Sequence, residues 1–571
     1  MILHALYDYY LRKSKDPDAH MAPPGFEWKE IPFIIELDEG GRLIQIEDTR
    51  SGDGKKKVAQ RFLVPQAVKK TSGVAANLLW DNAEYVLGLD TKGKPERVRD
   101  QHRAFKSRIA SLPEKALSDP GVRAVWAFLE NLDLGSLHPL ALWPELAFNP
   151  FITFRLQHDL ELVCQRPAVI ETLASRDERS DEEKPASGIC LVTGESDEIE
   201  RLHPAIKGVW GAQTSGANIV SFNLDAFNSY GKTQGSNAPV GKRAAFGYTT
   251  ALNHLLAKDS RQRIQVGDAS AVFWAERPSP FELEFPDFFN EPPKDDPDRL
   301  TRAMKNLYQS PSTGAFAPNA DSTRFYVLGL APNAARIAIR FWHVSTITEL
   351  AVNIRRHFDD LEIVHADFEK AYLSLLRLLT ATAAQGKIEN VPPNLAGDVM
   401  RSILSGTPYP QTLLAAAVRR VRAERAITYA RTALIKACLN RLPNMQEKEL
   451  TVSLDESNSN PGYRLGRLFA VLEKIQEEAN PGLNATIRDR FYGAASSTPV
   501  AVFSTLLKLK NHHLAKLDNR GGAIHFEQLI GRILDDIQDF PRQLTLADQG
   551  RFAIGYYHQQ RAFYQKSTTG E

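Results

Sequence analysis

Three cysteines in 571 residues, Cys164, Cys190 and Cys438, stand far apart with no CxxC pair. That scarcity argues against a disulfide framework and a cysteine-rich zinc site, and it fits a reducing cytoplasm. Long hydrophobic runs are missing too: none approaches the roughly 20 apolar residues that span a bilayer. The opening MILHALYDYYLRKSK sets Ile2, Leu3, Leu6 and Tyr10 at helical spacing. It has neither the unbroken apolar centre nor the small-residue cleavage site of a signal peptide. The expectation is a cytoplasmic chain with no membrane contact.

Catalytic signatures are equally scarce. Gly231-Lys232-Thr233 ends like a phosphate-binding P-loop, but Ala226 stands where the first glycine is required. His158-Asp159 has no second cluster of metal ligands at a suitable spacing. His512 and His513 project from adjacent helix faces, whereas residues that face one another are three or four apart. No G-x-S-x-G elbow and no H-E-x-x-H occurs. No enzyme activity, metal or cofactor is expected.

What the chain does have is charge of one sign gathered locally. Seventy Lys and Arg against 69 Asp and Glu leave a net +1. Yet GKKKVAQRFLVPQAVKKTSGVAANLLW, Gly54 to Trp80, holds six basic residues and no acidic one. Its candidates for phosphate contact are Lys55, Lys56, Lys57, Arg61, Lys69, Lys70, Thr71 and Ser72. Hydroxyls and backbone N–H groups bind phosphate oxygens, and Gly73 permits close approach. The apolar run Val74 to Trp80 would anchor one end of this turn in a core. A solvated basic loop is the alternative.

A second region, Lys207 to Lys242, is dense in Gly, Asn, Gln, Ser and Thr, with Asp225 its one acidic residue. Amides can read base edges, and glycines let a loop enter a narrow groove. Gln213, Thr214, Ser215, Asn218, Asn223, Lys232, Gln234 and Asn237 are the candidates; a turn cluster that merely links strands is the alternative. The third region is a helix carrying Arg419, Arg420, Arg422, Arg425, Arg431 and Lys436 against Glu424. It suits a phosphate backbone or is a plain solvated face.

Length predicts about three domains. Ile31–Leu37 and Arg42–Ile46 read as strands around the turn Asp38-Glu39-Gly40-Gly41. Residues 98–130 are helical in pattern, and Glu171 to Lys184 reads as a mobile, charged loop. Ile219–Phe222 and Ala271–Trp274 read as strands, Phe281 to Arg299 as an acidic, proline-rich linker or lid. Arg324–Leu330 and Arg336–Trp342 form a hairpin tipped by Ala331-Pro332-Asn333. From about Thr346 the period shifts to that of helices, with apolar faces at Leu465–Ile475, Val502–Leu517 and Phe526–Ile537 and Pro/Gly punctuation between them. The fold class is α+β: a mixed N-terminal domain of antiparallel strands and helices (1–345), a helical connector (346–444) and a helical bundle (445–571).

Several blocks look familiar. PPGFEWKEIPFIIELDEGGRLIQIEDTR and KKKVAQRFLVPQAVKKTSGVAANLLWDNAEYVLG, then CLVTGE, LHPAIKGVWGAQTSGANIVSFNLDAFNSYGKTQGSNAPV, TTALNHLL and IQVGDASAVFWAE, cover most of residues 1–276 in order. Over this part the chain resembles the Csd family, the large subunit of the type I-C CRISPR interference complex, Cascade. The helical remainder is similar mainly in architecture and length. The resemblance implies a non-catalytic DNA-binding subunit at the 5′ handle end of the CRISPR RNA, beside handle-capping and backbone subunits. Such subunits read the protospacer-adjacent motif in double-stranded target DNA, help open it into an R-loop, hold the displaced strand and recruit a helicase-nuclease. A small subunit homologous to the C-terminal bundle, made from an internal start, is also implied; Met445, just before the three best helical faces, is read as that start, with Met400 the competing position. Base pairing then carries target identity, leaving the protein charge, shape and one short readout. On side-chain chemistry, Lys69 to Ser72 would grip phosphates, the 213–237 amides would read or wedge, and the Arg419–Lys436 helix would take the displaced strand. The rival readings are a structural subunit that binds guide RNA without touching DNA, and a nuclease of the same system.

Overall fold

A computed structural model describes residues 1–52, 57–68, 73–137, 141–176, 187–313, 322–392, 394–442, 449–517, 519–535 and 537–564. Beyond the first two residues, the chain divides into two compact units. One holds Leu3–Pro204 and Val220–Ala251, the other Ala205–Ile219 and Leu252–Glu571.

In the first unit β1 (Phe26–Glu30), β2 (Phe33–Leu37), β3 (Leu43–Asp48), β4 (Arg61–Pro65), β5 (Trp80–Asn82) and β6 (Phe151–Leu156) build two sheets. β1 pairs with β4, and the larger sheet runs β3-β2-β6-β5. β2 lies parallel to β6, while the other pairs are antiparallel. Phe33, Ile34 and Ile35 are all buried, as a strand covered on both faces requires, whereas β3 at the edge is half open. The expected turn between them forms: Gly41 sits at φ +80, and a Cβ there would meet Ala124 O at 2.7 Å. β7 (Ser187–Ile189) and β8 (Ser196–Glu198) form a small hairpin.

In the second unit β9 (Arg263–Val266), β10 (Ala269–Ala275), β11 (Arg324–Asn333) and β12 (Arg336–Thr346) make an antiparallel sheet ordered β12-β11-β10-β9. The expected hairpin is present, but Pro332 and Asn333 belong to β11 and the turn is Ala334-Ala335. Thr346, where the sequence period changes, caps the helix Ile347–Leu361 through the Glu349 N–H. Helices follow at Leu395–Ser405, Gln411–Glu424, Tyr429–Asn440, Pro461–Ala479, Phe503–Leu514, Arg520–Leu534 and Leu546–Tyr564. Pro461–Ala479 and Leu546–Tyr564 pack closely. A Cβ on Gly466 would meet Phe552 O, and one on Gly555 would meet Tyr463 O, so only glycine fits either crossing.

Three expectations need correction. The segment read as a linker or lid is core: Phe281, Phe285, Phe288 and Phe289 are buried, with Phe285 against Phe273 and Phe325. Its prolines punctuate the chain, but burying phenylalanine outweighs the acidic residues between them. Ile219–Phe222 forms no strand, since pairing there stops at the single bridge Asn218–Arg336. Glu171 to Arg176 ends the helix Pro167–Arg176 rather than opening a loop; 177–184 lie outside the described residues. Met400 is buried in its helix, and Met445 lies outside the described residues. Among the described residues no helix is long and apolar enough to cross a membrane.

Candidate nucleic-acid interface

The basic turn of the first unit is anchored as its apolar flank predicts. Ala76, Leu78, Leu79 and Trp80 are buried, and the Trp80 indole donates to Pro65 O at 2.8 Å. The two arms are tied together: Asn77 Oδ1 accepts from the Val68 N–H at 3.0 Å, and the Asn77 N–H donates to Asp81 at 2.9 Å. Lys57 and Arg61 are exposed, Arg61 at the end of β4 opposite Glu30. Lys55, Lys56, Lys69, Lys70, Thr71 and Ser72 lie outside the described residues.

Gly73 opens onto a recess of about 330 Å³ that cations absent from the sequence reading also line: Lys92, Lys94 and Arg97. Burial opposes the charge of Glu84 on its wall. Hydrogen bonds from Thr91, Lys92 and Gln101 outweigh that, holding the carboxyl below the usual range. Lys92 is thus neutralised by Glu84 at 3.1 Å. Lys94 and Arg97 have no acidic partner among the described residues, and they flank the start of the helix Pro95–Ala110, whose positive dipole end adds to their field. The signal available was the run Lys92-Gly93-Lys94-Pro95, a basic turn leading into a helix with Pro at its first position.

The glycine- and amide-rich region is split between the units. Lys207 to Asn218 belongs with the second, where Ile206 and Ala217 exchange backbone hydrogen bonds of 2.8 and 2.9 Å and close the loop base. Gly208 and Gly216 sit at that base with positive φ, facing Leu256 O and Ile206 O too closely for a Cβ. Gln213, Thr214 and Ser215 are left together and open at the tip. Asn218 is half-buried, and its carbonyl accepts from the Ile337 N–H.

Asn223, Lys232, Gln234 and Asn237 lie in the first unit, Asn223 and Lys232 exposed. The premise that the amides of Gln234 and Asn237 are open to read bases is corrected. Asn237 Nδ2 donates to Lys232 O at 3.2 Å and Gln234 O at 3.0 Å, and its Oδ1 accepts from the Ser229 N–H. Gln234 Oε1 accepts from Arg201 at 2.7 Å. Asn237 shapes the loop, since an amide that fits a turn backbone bonds it before any ligand arrives, while Gln234 ties the loop to Arg201.

The arginine helix is two helices, broken at Arg425, whose φ of 53 caps the first. Arg419 and Arg422 are exposed and line a recess of about 500 Å³ with Ala415, Gly493, Leu546 and Gln549. Arg422 donates to Gln549 at 3.2 Å; Arg420 is half-buried and 3.5 Å from Glu424. Arg431 and Lys436 are corrected outright, being 6% and 2% exposed. Arg431 pairs with Glu424 and donates to Ala381 O and Ala426 O, while Lys436 donates to Asp360 O. A buried cation must be paired or hydrogen-bonded, and these two hold the interior of the helical part.

No group of three or more potential metal ligands occurs among the described residues. These features define an α+β protein with exposed cations gathered at recesses in loops and on helix flanks. It belongs to a family of CRISPR-associated proteins: the family model described as CRISPR-associated protein (Cas_Csd1) matches residues 6–564. The match carries the likeness through the helical remainder. No curated protein matches the chain.

Proposed function

We propose that the protein is the non-catalytic large subunit of a type I-C CRISPR RNA-guided surveillance complex. In this reading it recognises the protospacer-adjacent motif in double-stranded DNA, assists opening, stabilises the R-loop and recruits the helicase-nuclease. Its partners are the CRISPR RNA at the handle end, the handle-capping and backbone subunits, and a small subunit like its own helical bundle. The observation that carries the proposal is the set Lys94, Arg97, Arg419 and Arg422. These cations line open recesses and have no acidic partner among the described residues, in a chain whose total charge nearly cancels. A neutral protein gains nothing in stability from leaving such clusters unpaired, whereas a polyanion neutralises them on binding.

Gel shifts on duplexes with matched and scrambled adjacent motifs, repeated across salt concentrations, test it. The double variant Lys94→Glu, Arg97→Glu should weaken binding on every sequence and reduce the salt slope by about 2. Alanine substitution of Gln213, Thr214 and Ser215 together should cost about 1–3 kcal/mol on the preferred motif and little elsewhere. Binding to guide RNA with no affinity for either duplex would instead favour the structural-subunit reading, and DNA cleavage with Mg²⁺ or Mn²⁺ alone would favour the nuclease.

A further inference from the structure

Tyr230 is the most exposed aromatic among the described residues, at 98%. It sits at the tip of a tight turn in the first unit. Ser229 and Lys232 pair across it, the Lys232 N–H donates to Ser229 O at 2.9 Å, and Tyr230 and Gly231 have φ of 51 and 70. Two consecutive positive φ values mark the I′ class, which favours Asn, Asp or Gly at both positions. Tyrosine there is an outlier: its bulk disfavours the backbone, and its ring gains no burial in return.

The surrounding chain nevertheless holds the turn rigid. Asn237 bonds Ser229, Lys232 and Gln234, closing both arms, and Arg201 grips Gln234. Gly235 rests against the backbone of Glu200 and Arg201 with no space for a Cβ. An aromatic held in strain on a braced turn, with exposed Lys232 beside it, is what stacking on an unpaired base beside its phosphate requires. We propose that Tyr230 is a stacking platform for one unpaired nucleobase. The proposal rests on the nucleic-acid-binding reading above and adds a residue to it.

The test uses the full chain and a single-stranded oligonucleotide carrying 2-aminopurine, whose fluorescence falls when it stacks. The unsubstituted protein should quench it. Tyr230→Ala should lose the quenching and bind about tenfold more weakly, while Tyr230→Phe and Tyr230→Trp should keep both. Because the ring is open to solvent, none of these should alter thermal unfolding. Quenching that survives Tyr230→Ala overturns the platform and leaves DNA binding intact as a separate result. So does unchanged oligonucleotide binding by Tyr230→Ala together with loss of a neighbouring subunit on co-purification, which would assign the ring to a protein contact. A full chain that binds neither single strands nor duplexes overturns this proposal and the general reading together.

Discussion

Two arginine-bearing helices separated by four residues in sequence, Gln411–Glu424 and Tyr429–Asn440, meet opposite fates. On the first, Arg419 and Arg422 reach an open recess; on the second, Arg431 and Lys436 are enclosed and bonded to carbonyls and to Glu424. The first helix shows one apolar stripe (Leu413, Leu414, Ala417, Val418 and Val421) and leaves its basic flank outside. Every residue of the second from Arg431 to Asn440 is buried, because other helices cover it on all sides. The presence of basic residues on a helix therefore says little about function. What separates a candidate polyanion site from a structural cation is whether the chain has already supplied the acceptor.

The comparison is broken or sharpened most strongly beside Lys436. Arg441 Nε lies 2.5 Å from Asp360, and both side chains are almost wholly buried. Arg441→Ala should cost about 3–5 kcal/mol in denaturant unfolding, since it strands a buried carboxylate. A cost near zero would mean that the second helix is not the enclosed element described.

Acid is a second lever on the same interior. Burial holds the His357 ring down to about 3 and the His558 ring down to about 4, from an ordinary 6.5. Each bonds a tyrosine hydroxyl, Tyr409 at 2.6 Å and Tyr463 at 3.0 Å. Folded, both rings stay neutral; unfolded, they take up protons below pH 6.5. Their contribution is complete above that value and is lost as pH falls toward the folded values. Thermal unfolding should show a loss of about 2 kcal/mol per ring by pH 5, and His558→Gln should flatten the profile.

The smallest effect on stability belongs to the open helix. Arg419→Glu with Arg422→Glu should change unfolding by no more than about 0.5 kcal/mol, yet lower the salt slope of DNA binding by about 2. A large loss of stability would erase the contrast between the helices, and an unchanged slope would remove this recess from the interface.

Much of the frame was legible from pattern. The β2–β3 turn, the two arms of the hairpin Arg324–Trp342 and the helical face Leu465–Ile475 stand where periodicity puts them, because each is decided by neighbours along the chain; the hairpin tip alone lies farther on, at Ala334-Ala335. The helix Leu546–Tyr564 was not read. Phe552 to Gln559 are buried without a break, so no polar face marks the helical period, and Gly550 and Gly555 stand at close crossings where a stripe would carry larger side chains. The phenylalanines of 281–289 were misread for a related cause, since proline and acidic punctuation hides a run that only tertiary packing turns inward.

At the candidate interface the sequence alone established which residue types were available: lysines around a glycine-bearing turn, amides among glycines, arginines in a helical register. It established the family likeness too, because long unusual blocks survive without any knowledge of shape. Tertiary structure alone decided which groups remain unpaired. It closed Asn237 onto its own loop, tied Gln234 to Arg201, enclosed Arg431 and Lys436, brought Lys94 and Arg97 beside Gly73, and lifted Tyr230 into solvent. The reason is physical. A polar group's availability depends on the donors and acceptors that folding brings within about 3 Å, and these come mostly from residues distant in sequence.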